Sequence, residues 1–110
     1  MPERDAAEIV GRIRSCFERG DVLLTVHARQ EMAEESIDTD ELSEAIATAE
    51  ILEDYPDHRR GPCCLLVGTT QSGRPLHVVC TTDLASVIVI TVYEPTPPRW
   101  ATPHQRGRTQ

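Results

Sequence analysis

His27, His77 and Tyr93 can each take up or give a proton, and they sit in a chain of 110 residues whose 11 basic residues are all arginine. Cutting RNA without a metal calls for those side chains. A base takes the 2′-OH proton, an acid protonates the leaving 5′-oxygen, and cations meet the charge that grows on phosphorus. Histidine can act as base or acid near neutral pH, tyrosine can donate, and arginine can clamp a phosphate through two parallel hydrogen bonds. Arg59 and Arg60, at the head of the run "RRGPCCLLVGTT", are the clamp candidates.

Each residue also has a structural reading. A histidine in a strand commonly packs, a tyrosine near a strand end commonly fills space, and Arg59-Arg60 suits a solvated turn paired with Asp54 and Asp57. An arginine-only basic set also fits codon bias.

Charge separates the two halves of the chain. Residues 1–57 hold 16 acids and five arginines, residues 58–110 hold two acids and six arginines, and the net charge is −7. That balance argues against a general nucleic-acid coat and predicts an acidic helical part and a positive or neutral remainder. Cys16, Cys63, Cys64 and Cys80 show no CxxC spacing. Neighbouring strand residues such as Cys63 and Cys64 point to opposite faces, so zinc on them with His58 and Cys80 is not expected, nor is any other cofactor. Free buried thiols, no signal peptide after Met1 and no apolar run of membrane-spanning length together predict a cytoplasmic chain with no membrane association.

The elements that must position these residues follow from local rules. "DAAEIVGRIRSCFERG" carries Ile9, Val10, Ile13, Cys16 and Phe17 on one helical stripe and ends at Gly20. "DVLLT" is a strand or an extended connection, and Thr25 caps a helix over "VHARQEMAEES". Asp38 with Glu41 forms a capping box, and Ile37 with Leu42 the matching staple, for a third helix from about Thr39 to Ala49. Four strands follow: "EILEDY", "PCCLLVGTT", "PLHVVCTT" and "VIVITVYE". The pattern predicts an α+β domain over residues 1–100, with N-terminal helices on one face of a roughly four-stranded antiparallel sheet, and a flexible basic tail over 101–110. Facing Ile88, Ile90 and Val92 to the core leaves Thr91 and Tyr93 on the free face with His77.

In order and spacing, "HARQEM", "SIDTDELSEAI", "EILEDYPDHRRGPCCLLVG", "GRPLHVVC" and "VIVITVYEP" resemble the domain-of-unknown-function family numbered 4258, over residues from about 23 to 100. The resemblance implies a RelE-like fold akin to the MqsR and barnase–EndoU–colicin (BECR) ribonucleases. It also implies a toxin role, an RNA substrate and, in some members, a YgiT-type zinc-finger antitoxin as partner. The family pattern falls on His27, Arg60-Gly61, His77 and Tyr93-Glu94-Pro95. Glu31 stands where the pattern has a basic residue before Met, with Arg29 two positions earlier. The expected site is therefore His27 and His77 as acid and base, Tyr93 as donor or stacking platform, and Arg59, Arg60 and Arg29 on the phosphate. The alternative is a non-catalytic protein-interaction module of the same fold.

Overall fold

The computed structural model describes residues 5–59, 61–83 and 85–107. Three helices come first, α1 (Ala6–Arg19), α2 (Val26–Glu34) and α3 (Thr39–Ala47), with the short strand β1 (Val22–Leu24) between α1 and α2. β2 (Glu50–Tyr55), β3 (Cys63–Thr69), β4 (Pro75–Thr81) and β5 (Val87–Tyr93) follow, then β6 (Trp100–Thr102) and β7 (Gln105–Arg106). None of these helices is long and apolar enough to cross a membrane.

The helix ends obey their caps. Asp5 accepts from the N–H groups of Ala7 and Glu8, and Gly20 closes α1 in the left-handed region at φ 73°. Thr25 Oγ1 accepts from Ala28 N–H, and Asp38 and Glu41 complete a reciprocal capping box on α3. Each such cap contributes about 0.5–2 kcal/mol.

The class is α+β as the sequence predicts, but the sheet has one strand more. Its order is β1-β5-β4-β3-β2, and β1 lies parallel to β5 while the other pairs are antiparallel. "DVLLT" resolves to a strand because α2 turns back after it and leaves β1 beside the last long strand. On the helix side the core holds Ile13, Cys16, Met32, Leu42, Ile46, Leu66, Leu76, Val78, Cys80, Val89 and Val92.

One expected face is corrected. Ile90 is an extra residue of β5, bulged opposite the Val79–Cys80 step of β4 and without a strand partner there. The alternation shifts by one residue there, so Val87 and Val89 face the helices in place of Ile88 and Ile90, with Val92. Thr91 and Tyr93 keep the opposite face, as expected.

That opposite face is covered. Over the described residues 101–107, the segment read as a tail forms the hairpin β6–β7 with Trp100, which packs against the sheet. Cys63, Leu65, Val67 and His77 are buried beneath this side of the molecule, which therefore has three layers: helices, sheet and hairpin.

Gly68 marks where α3 meets β3 most closely. A Cβ there would lie 1.9 Å from the Ala45 carbonyl oxygen, which backbone cannot yield. Gly68→Ala is expected to cost about 1–3 kcal/mol in chemical denaturation. Gly11→Ala, on the exposed side of α1 with nothing within 4 Å, is expected to gain about 0.5–1 kcal/mol in the same assay.

Candidate functional site

β1 pairs with β5 only as far as Val89, so the second half of β5 is an edge. Its N–H groups are taken by a helix. Glu31 Oε1 accepts from Val92 N–H at 2.9 Å and from the Thr91 hydroxyl, and Glu35 Oε1 accepts from Glu94 N–H at 2.8 Å. The fit is geometric, because four helical residues advance about 6 Å and two strand residues about 6.8 Å. Glu31, where the family pattern has a basic residue, is thus an edge cap for β5.

His27 lies one helical turn before Glu31. Its Nε2 is 3.4 Å from Glu31 Oε1, and its side chain is 65 % exposed. The carboxylate can orient the imidazole by accepting from Nε2–H. Arg29, also exposed, is two residues further along α2 and so points to a different side of the helix from His27.

His77 has the opposite surroundings. It is paired with Tyr93 across the sheet and is 0 % exposed. Trp100 stands edge-on over its ring, with centroids 4.4 Å apart. Nε2 lies 2.7 Å from the Pro103 carbonyl oxygen, and Nδ1 lies 3.1 Å from the Tyr93 hydroxyl. The carbonyl can only accept, so Nε2 carries the proton and Nδ1 accepts from Tyr93. Burial pushes His77 below its ordinary value and raises Tyr93, which keeps both side chains neutral. His77 is therefore a pin between sheet and hairpin, with neither ring nitrogen free.

Around this pin the cations come from the hairpin. Arg106 makes two bonds to Glu53, at 2.8 and 2.7 Å, and lies 4.7 Å from the Trp100 ring centroid. The guanidinium holds Glu53 below the usual carboxylate range. Burial, aided by Glu53, pushes the neighbouring Tyr55 hydroxyl up to about 12. Arg99 is exposed and sits 5.4 Å over the Tyr93 ring.

Arg59 is elsewhere. It is exposed in the β2–β3 connection, at the end of the sheet where Cys63 faces Thr81. His77 faces Val67, four strand residues or about 13 Å further along. Arg60 lies outside the described residues. Sequence reasoning missed Arg99, Arg106 and Glu53. The one available signal was "TPHQ", a proline-led turn between Trp100 and Arg106 that marks a hairpin. Among the described residues, no three His, Cys, Asp or Glu side chains gather as metal ligands.

Glu31, Glu35, Tyr93, Glu94, Thr96, Arg99 and Trp100 line one cleft of about 220 Å³ between α2 and the hairpin. His27 stands beside it through Glu31. Its acids are already engaged, Glu31 and Glu35 on β5 and Glu94 on Arg74 at 2.7 Å, and Arg99 lines it from over the Tyr93 ring.

The structure is thus an α+β domain in which the exposed His27 pairs with Glu31, a wall residue of the cleft that Tyr93 also lines. The chain belongs to the family described as Domain of unknown function (DUF4258), whose family model matches residues 24–94. No curated protein and no solved structure matches it. The matched span holds His27, His77 and Tyr93, whereas α1 and the β6–β7 hairpin lie outside it.

A histidine held neutral by the fold binds fewer protons than the same residue unfolded. Its stabilising contribution is full above the ordinary value of 6.5 and is lost as pH falls below it, towards the lowered folded value. Glu53 adds a loss only below its ordinary 4.5. Thermal unfolding between about pH 7 and pH 5 should show a falling midpoint, and His77→Phe should flatten that fall while lowering the midpoint at pH 7. An equal slope in the variant would assign the pH dependence to another group.

Proposed function

We propose that this chain is a ribonuclease-like domain of the bacterial toxin type, cutting RNA by general acid–base chemistry without a metal in the cytoplasm. The observation that supports this most is the exposed His27–Glu31 pair beside the cleft that holds Tyr93 and Arg99. In this reading Glu31 accepts from His27 Nε2–H and orients the ring, and Nδ1 takes the proton from the 2′-OH. The 2′-oxygen attacks phosphorus and the P–O5′ bond breaks. Tyr93, kept protonated by burial, rotates its hydroxyl proton away from His77 Nδ1, gives it to the leaving 5′-oxygen and regains one from water. Arg99 faces the phosphate, the role that the sequence assigns to Arg59 and Arg60. His77 acts as a positioning residue for Tyr93. A YgiT-type zinc-finger partner that covered this cleft would block the reaction.

A second reading has its own support. His77 is fully enclosed with both nitrogens engaged, the state of a structural histidine, and this favours a non-catalytic protein-interaction module.

Purified full chain incubated with single-stranded RNA separates the two. Cleavage should leave 2′,3′-cyclic phosphate ends, fall about 10²–10⁴-fold in His27→Ala, and fall in Arg99→Ala while Arg59→Ala retains it. RNA left intact by the unaltered chain at high enzyme concentration would leave the interaction module standing.

A further inference from the structure

The free edge of β1 is built unlike the rest of the surface. Val87 N–H donates to the Asp21 carbonyl, and Thr25 N–H donates to the Val89 carbonyl. With the parallel register Val22↔Val87 and Leu24↔Val89, Asp21, Leu23 and Thr25 direct their backbone groups to β5. Val22 and Leu24 therefore present N–H and C=O outward, and β1 is the end strand of the sheet.

Two further observations fall at the same place. On the helix side, an apolar pocket of about 220 Å³ opens beside this edge, lined by Phe17, Val22, Leu24 and Leu42 with Thr39 and Ser43. On the other side, Leu23 is 61 % exposed and Val26 is 72 % exposed, the large hydrophobics most open to water among the described residues. Open edges are ordinarily blunted by charge, proline or a bulge, and this one instead carries apolar side chains.

We infer that the β1 edge is a docking site for an extended, basic segment of another protein, added to the sheet as a sixth strand. Residues opposite Val22 and Leu24 would place apolar side chains in the pocket, and the residue between them would lie over Leu23. Charge selects the partner. Residues 5–49 hold 11 acids and four arginines; Glu18 lines the adjoining groove that shares Phe17 and Ser43 with the pocket, and Asp38 and Asp40 flank its Thr39 in sequence. A second copy would bring two such acidic layers together, whereas a cationic strand is drawn to them. The inference is independent of whether the Tyr93 cleft cuts RNA.

The probe is acetyl-Arg-Val-Arg-Val-Arg-amide, titrated into the full chain and followed by backbone amide shifts. Saturable shifts centred on Val22–Leu24, Phe17 and Thr39, weakening as salt is added, are expected. The same peptide with both valine nitrogens methylated keeps its charge and side chains but loses the strand hydrogen bonds, so its affinity should fall at least tenfold. Val22→Pro, which removes one outward N–H, should weaken binding in the same direction, and the methylated peptide serves if that variant folds poorly. Absence of binding, equal affinity for the methylated peptide or for its glutamate counterpart, or shifts centred on Tyr93 and Arg99 would overturn the inference. So would a chain that dimerises through Val22–Leu24 on its own.

Discussion

The second half of β5 pairs with β4 on one side and with no strand on the other, and the backbone N–H groups on that outer side still need acceptors. Glu31 and Glu35, one helical turn apart on α2, supply them at Val92 and Glu94. This pair of contacts fixes the roll and the axial position of α2 against the sheet. Thr25 adds the third tie, with its hydroxyl donating to the Ile90 carbonyl at 3.0 Å. With α2 so placed, Glu31 and Glu35 lie along the Tyr93 end of the β5 edge, and His27 stands one helical turn back, towards Ile90. Arg74 completes the corner by reaching the Glu35 and Ser36 carbonyls at the end of α2 and the Glu94 carboxylate.

The opposite layer rests on burial more than on charge. Trp100 is 2 % exposed over His77, and such aromatic contacts add about 0.5–1.5 kcal/mol beyond the area they bury. The Arg106–Glu53 pair is bidentate but partly exposed, and the His104–Glu50 pair is more open still. Exposed ion pairs contribute about 0–1 kcal/mol, so these orient the hairpin more than they hold it. The indole N–H of Trp100 is buried without an acceptor among the described residues, at a cost of about 1–3 kcal/mol that offsets part of the gain. His77 is the most specific tie in this layer, since its two nitrogens fix both a strand neighbour and the Pro103 backbone.

Layering also separates electrostatic roles. Acids concentrate in the helices, while Arg99 and Arg106 ride on the hairpin over the far face of the sheet. An anionic ligand and a cationic one would therefore meet different sides of this small domain. The first finds Arg99 at the cleft, and the second finds the acidic surroundings of the α1–α3 side.

Local chemistry determined much of this from the sequence alone. Caps, staple and apolar stripes act over a few residues, so the three helices, the four long strands and the α+β class were legible at Asp38, Thr25 and Gly20. His77 and Tyr93 were readable as neighbours on one face, because alternation along a strand needs no distant partner. The remainder depends on pairing between segments remote in sequence. β1 joined β5 in parallel, the bulge at Ile90 turned Ile88 and Ile90 away from the helices, and Trp100 to Arg106 folded back over His77. Those events moved the guanidinium groups near Tyr93 from Arg59 to Arg99 and Arg106 and converted His77 from an open-face residue into an enclosed one. Residue type cannot signal such changes, because they come from register and from which surface a hairpin happens to bury.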